Sequence, residues 1–163
     1  MSKLTKKEQE NNDIDWYCSI NGHSVHIASM GGLIPKQFCE RAPLRELEET
    51  VIKLPYISEV ELNEDVVTQE AKVGYEYIDR YDLSKYIEEK LAKFPSFNYN
   101  PNWNLSTRLF TYSFVDKARK GFYSYARIGN SYVLIASPKV ECKEIELTPL
   151  GLNIKGIPVQ FKL

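Results

Sequence analysis

The segment from Phe94 to Tyr132 carries the residue types in this chain that are best suited to binding. It holds 11 of the 20 aromatic residues in 39 positions, with five Lys or Arg residues and a single acid, Asp116. Aromatic rings stack on nucleic-acid bases while cations pair with phosphates, and Tyr, Trp and Arg also dominate protein–protein hot spots. The same pattern is typical of an antiparallel core whose tyrosines lie at its edges. Three interpretations of the segment therefore stay open.

A protein-binding surface is predicted on two parts of this segment. Tyr99 and Trp103 lie in a stretch rich in Asn and Pro (96–107), which predicts a loop that offers both rings to a partner. Strand alternation over 121–128 places Tyr123, Tyr125 and Arg127 on one face, which would bind the partner if it points outward. The alternative nucleic-acid site combines these three residues with the cations around them: Arg108, Lys117, Arg119 and Lys120.

The charge distribution favours a protein partner over nucleic acid. The net charge of the whole chain is −1, whereas nucleic-acid-binding domains are usually strongly basic. The charge is uneven, with −6 over 40–93 and +4 over 94–132, as counted from the sequence. We expect the partner to be another protein or a second copy of the chain, and we keep single-stranded nucleic acid as the alternative.

Cysteine and histidine supply a second set of reactive side chains. Cys18, His23, His26 and Cys39 are zinc ligands by type, but in a hairpin with a two-residue turn Cys18 and His23 share one face while His26 lies on the other, beside Tyr17. Catalysis by Cys39 with a histidine needs an orienting third group, which the sequence does not show. We therefore assign no metal ligand, no catalytic residue and no cofactor.

Local patterns predict the elements that position these residues. Asn21-Gly22 lies between two runs rich in strand formers and predicts a β-hairpin over 16–28. A helix is predicted from Pro43 to Leu54, ended by Pro55, and a second one over 82–94. Strands are predicted over 57–62, 72–78, 108–115, 121–128 and 131–136, with weaker ones near 143–148 and 157–162.

These elements predict an α+β fold, a mostly antiparallel sheet built from the N-terminal hairpin and a C-terminal meander and covered by two amphipathic helices. Residues 1–13 are polar and charged, and we expect a disordered tail there, followed by a single globular domain over 14–163. Three widely spaced cysteines suit a reducing compartment, so we expect a cytoplasmic protein without a membrane partner. The function predicted is a non-enzymatic protein-interaction module, with nucleic-acid binding or an unrecognised enzyme as alternatives.

Overall fold

Two β-hairpins and several single strands alternate with helices along the chain. The computed structural model describes residues 2–67, 105–140, 151–152 and 154–163, with Lys85, Glu88, Glu89, Ala92 and Trp103. A 3₁₀ turn, Lys36–Phe38, precedes the second helix. The helices whose two ends lie in the described residues are α1 (Lys6–Asn11), α2 (Arg41–Ile52) and α3 (Leu105–Arg119). The strands are β1 (Asp15–Ile20), β2 (His23–Ala28), β3 (Val60–Leu62), β4 (Tyr123–Ile128), β5 (Ser131–Pro138), β6 (Gly151–Leu152) and β7 (Gln160–Phe161).

All seven of these strands belong to one mixed sheet. Their order is β3-β5-β4-β2-β1-β6, and β7 pairs with β5. The pairs β2–β4 and β1–β6 are parallel, and the others are antiparallel. The predicted α+β class is confirmed, but the predicted mostly antiparallel sheet is wrong. The two local hairpins lie side by side in parallel, which the long connection between them permits.

The first hairpin has the predicted register. Asn21 and Gly22 have φ angles of 55° and 78°, which a type I′ turn requires. Tyr17 pairs with His26, and Cys18 pairs with Val25. His26 therefore lies on the same face of the sheet as Tyr17, as the sequence predicts.

The predicted strand over 108–115 is wrong, because these residues belong to α3. Phe110, Tyr112 and Phe114 alternate along the sequence as in a strand, yet the buried positions of α3 recur every three or four residues. They are Thr107, Thr111, Phe114, Val115 and Ala118. The Phe110 and Phe114 ring centroids lie 5.4 Å apart, one helical turn from each other. Phe110 and Phe114 thus face the sheet from a helix that covers it.

Both faces of the central strands are covered by packed side chains. On one face Trp16 and Tyr125 join a core with Phe38, Tyr132 and Phe161. The opposite face packs Ala126 and Ile135 against α3. Because both faces are buried, β4 presents no open side to solvent along 124–126.

The helices differ from the prediction in number and position. The first predicted helix is confirmed as α2, but residues 6–11 form α1 where the sequence predicts a disordered tail. A capping box between Thr5 and Glu8 begins α1. Most of the second predicted helix and the predicted strands at 72–78 and 143–148 lie outside the described residues. Among the helices that the structure describes, none is long and apolar enough to cross a membrane.

Candidate functional site

A surface cavity of about 420 Å³ lies between α1, the start of β1 and α2. The α2 residues that line it are spaced by three or four positions, so they share one face of the helix. The remaining lining residues come from α1, from the residues on either side of it and from the first residue of β1. The complete lining is Leu4, Glu8, Asn12, Asp13, Ile14, Asp15, Arg41, Leu44, Arg45 and Glu48.

The cavity lining is acidic. It contains four carboxylates and two guanidinium groups, so its formal charge is −2. Glu8 and Arg41 form an ion pair with each other, with Oε1 2.6 Å from Nη2. The other charged groups of the lining are the carboxylates of Asp13, Asp15 and Glu48 and one cation, the guanidinium of Arg45. The cavity is therefore suited to a positively charged ligand group.

Behind the cavity, Asp15 begins a chain of hydrogen bonds that crosses three strands. Asp15 Oδ1 lies 2.7 Å from His26 Nε2, and His26 Nδ1 lies 2.5 Å from Ser124 Oγ. The His26 and Ser124 side chains are fully buried, whereas the Asp15 side chain is 29% exposed. The pairing of His26 with Ser124 across β2 and β4 puts both side chains on one face. In the neighbouring pairing of β4 with β5, the register shifts between Ser124 and Tyr125.

The chain of hydrogen bonds fixes the roles of its members. An ionised Asp15 accepts the Nε2–H of His26, and the other ring nitrogen then accepts the Ser124 hydroxyl proton. In a nucleophilic triad the serine faces the substrate and the acid is buried. Here the order is reversed, because Ser124 is buried and Asp15 lines the cavity. This geometry makes His26 a positioning residue for the Asp15 carboxylate.

The electrostatic surroundings keep Asp15 in its charged form. Burial by itself would raise the pKa of Asp15, but the His26 ring and the Lys117 ammonium hold it below its usual range. Asp15 therefore stays an anion at neutral pH. A fixed, ionised carboxylate at the inner wall is the main chemical property of this cavity.

Tyr17 lies on the same face of β1 as Asp15, two residues further along the strand. Its side chain is buried against Val51 and Phe122, and its residue exposure is 1%. Among the described residues its hydroxyl has no hydrogen-bond partner. Burial raises the pKa of Tyr17, and the carboxylates of Asp15, Glu48 and Asp116 raise it further.

The predicted partner-binding residues do not form one exposed surface. Tyr125 is fully buried, and its hydroxyl donates to the Pro158 carbonyl at 2.6 Å, so the prediction that it faces a partner is wrong. Tyr123 is half-buried against His23, with ring centroids 5.2 Å apart. Arg127 Nη1 donates to the Leu33 carbonyl at 2.9 Å.

The two residues predicted in the 96–107 loop remain untested. Trp103 is half-buried, and Tyr99 lies outside the described residues. The helix α3 begins at Leu105, so the predicted loop ends earlier than expected.

The predicted basic surface is divided by ion pairs and burial. Lys120 is 6% exposed and donates to the backbone of α2. Lys117 lies 3.4 Å from Asp116. The Arg119 guanidinium lies 4.1 Å from the centre of the Tyr56 ring. Arg108 is half-buried, with its Nε enclosed. These four cations therefore do not form an open phosphate-binding track.

Cys18, Cys39 and the two histidines, which are the described members of this set, do not assemble into one cluster. Cys39 Sγ lies 3.4 Å from the Ile34 carbonyl, and burial raises the pKa of Cys18 to about 12. The two histidines lie on opposite faces of the sheet. In the part of the chain that the structure describes, no group of three His, Cys, Asp or Glu side chains is placed to hold a metal ion.

The Glu8–Arg41 ion pair at the cavity mouth predicts a pH dependence. The hydrogen bonds that the Glu8 carboxylate accepts from Arg41 and Thr5 lower its pKa to about 2. A folded-state pKa below the usual value of 4.5 contributes stability above pH 4.5, and this contribution is lost as the pH falls toward 2. Urea unfolding of wild type and Glu8→Gln should therefore differ most at pH 5 and converge near pH 2. A constant difference across this range would contradict the assignment, since it would come from a lost hydrogen bond and not from the charge of Glu8.

In comparisons with known proteins, no protein-family model, no curated protein and no solved structure matches the chain. The cavity must therefore be interpreted from its own chemistry. Its key residues were missed in the sequence because Asp15 and His26 are 11 positions apart and Ser124 is 98 positions beyond His26. The one available signal was the register of the first hairpin, which places His26 on the Tyr17 face.

Proposed function

We propose that the protein is a protein-interaction module that receives a projecting side chain of its partner in the cavity between α1, β1 and α2. The observation that carries this proposal is the acidic lining, in which Asp15 is held ionised by a fully buried histidine. A charge fixed by a buried hydrogen bond is pre-organised, so binding loses less free energy to ordering.

The alternatives have weaker support. A nucleic-acid site needs an accessible run of cations, and Lys117 and Lys120 pair with Asp116 instead. An enzyme that used Ser124 as a nucleophile would need that hydroxyl to reach its substrate, and Ser124 is fully buried. Tyr99 and Trp103 stay predicted contributors to a protein interface.

Selection from a random peptide library tests the proposed function. Binding peptides should lose at least about tenfold in affinity for Glu48→Lys, because this change reverses one charge of the cavity lining. The matched control is Glu49→Lys, since Glu49 is exposed on the same helix but does not line the cavity. Its affinity should stay within about twofold of wild type.

Two results would contradict the proposal. One is a set of selected peptides that bind Glu48→Lys as well as they bind wild type. The other is an equal loss for Glu48→Lys and Glu49→Lys, which would indicate a general charge effect instead of a site.

A further inference from the structure

We infer that residues 157–163 form an exchangeable strand, which in a dimer pairs with β5 of a second copy of the chain. The inference goes beyond the proposed function, because neither this segment nor β5 lines the cavity between α1, β1 and α2. It is carried by the contacts of the segment with β5, by the pairing of the rest of β5, and by the backbone that precedes the segment.

One buried ring anchors the segment on the sheet. Phe161 is 8% exposed and packs against Tyr125 and Tyr132, with ring centroids 5.2 and 5.1 Å away. The rings of Phe161 and Tyr132 are stacked, with 20° between their planes. Val159 and Leu163 are instead 63% and 60% exposed. The segment is therefore held as peptides added to a sheet edge are held, by backbone pairing and a pocket for one side chain.

The backbone contacts of the segment are short and local. Among the described residues, β7 forms two residue pairs with β5. The Leu134 amide donates to the Val159 carbonyl at 2.8 Å, and the Tyr125 hydroxyl donates to the Pro158 carbonyl at 2.6 Å. An identical segment from a second copy can make every one of these contacts, which is the condition for domain swapping.

The rest of the same edge of β5 is already closed. The strand β3 pairs with β5 from Ala136 to Pro138, and the Asn63 amide donates to the Ile135 carbonyl at 2.9 Å. Departure of residues 157–163 would thus open the first half of β5 and leave the second half paired. The opening suits a short segment with one aromatic anchor, and residues 157–163 of a second copy have this length and this anchor.

The backbone before the segment can change direction without disturbing the sheet. Residues 154–159 belong to neither a helix nor a strand. Gly156 has a φ of 70°, and a Cβ placed on it would meet no atom within 4 Å. Glycine adopts turned and extended backbone with similar ease. A rotation at Gly156 therefore lets two copies exchange the segment reciprocally, and the exchange closes into a two-fold dimer.

Protein concentration determines how much dimer forms, since monomer and dimer make the same contacts with β5. In the monomer the tethered segment acts at an effective concentration on the order of millimolar. The dimer is therefore a minor species at micromolar concentrations. Its share should rise in proportion to the protein concentration until it approaches the millimolar range.

Disulfide trapping between two variants of the full chain tests the exchange. Val133 and Gln160 are directly opposite each other in the pairing of β5 with β7, where two cysteines can form a disulfide. One variant carries Val133→Cys, the other carries Gln160→Cys, and both carry Cys142→Ser. Equal amounts are mixed in urea with a reductant, refolded together so that slow opening does not prevent exchange, and then oxidised.

A disulfide between positions 133 and 160 can form only between two chains in this mixture. We expect a disulfide-linked dimer, with the 133–160 link identified by mass spectrometry. Its yield should increase roughly tenfold when the protein concentration during refolding is raised from about 0.05 to about 0.5 mM.

The matched control replaces Val133→Cys with Ser137→Cys. Ser137 also lies on β5, but it is opposite Glu61 of β3 and not opposite Gln160. Its link to position 160 should form at least about fivefold less, because Cα atoms more than about 7 Å apart are not bridged. Absence of the 133–160 dimer at both concentrations would overturn the inference. Equal yields from the Val133→Cys and Ser137→Cys variants would also overturn it, since they would indicate random collisions.

Discussion

Replacing His26 with leucine is expected to lower the free energy of unfolding by about 3 kcal/mol. The leucine fills a similar volume beside Tyr17 and Phe114, so the loss comes from hydrogen bonds and not from a cavity. Ser124 loses the ring that pairs with its fully buried hydroxyl, and Asp15 loses its charge-assisted bond at 2.7 Å. Urea unfolding at neutral pH measures the difference.

A double-mutant cycle shows whether the network causes this loss. Ser124→Ala removes the hydroxyl that His26→Leu leaves unpaired, so the double variant should be more stable than the sum of the single effects predicts. A coupling free energy of about 1 kcal/mol is expected. Strictly additive effects would mean that the hydrogen bond between His26 and Ser124 does not contribute to the loss.

Lys120→Met is expected to lower the free energy of unfolding by about 2 kcal/mol. The Lys120 ammonium donates to the carbonyls of Val51 and Ile52 at 3.0 and 3.2 Å, where α2 ends. A cation at this position pairs with carbonyls that lack helical partners and interacts favourably with the helix dipole. Burial lowers the pKa of the Lys120 amine, and Asp116 opposes this shift.

Lys117→Met is the matched control for Lys120. Lys117 also pairs with Asp116, at 3.4 Å, but its described hydrogen bonds do not include the α2 carbonyls. Its replacement should cost less than about 1 kcal/mol, as for other ion pairs near a surface. Equal losses for both variants, measured by urea unfolding, would show that Asp116 and not α2 accounts for the role of Lys120.

The sequence predicts well the elements that local chemistry determines. Asn21-Gly22 selects a turn of known geometry, and from that turn follow the pairing of Tyr17 with His26 and the face on which His26 lies. Gly129-Asn130 similarly predicts the turn between β4 and β5, and Pro55 predicts the end of α2. In each case, neighbouring residues restrict the backbone without help from the rest of the fold.

The failures concern features that depend on distant contacts. The alternation of Phe110, Tyr112 and Phe114 suits a strand, but packing against the sheet selects the helical pattern that ends in Ala118. Strand alternation separates the two faces of β4, but it does not show that other elements cover both of them. For this reason the sequence predicts Tyr125 at a surface, whereas it is buried. Ser124 meets His26 only because β2 and β4 pair in parallel, which no local pattern predicts.

The parallel pairing of β2 with β4 also affects how the chain folds during its synthesis. The first hairpin is complete when Ala28 has been made, but its neighbour β4 follows about 100 residues later. At roughly 5–20 residues per second, this leaves a delay of about 5–20 s. For that time the edge of β2 that later pairs with β4 has unpaired backbone groups, which can pair with other chains. Nascent chains that end before Ala126 are therefore expected to be the species that chaperones bind and that aggregate when chaperones are scarce.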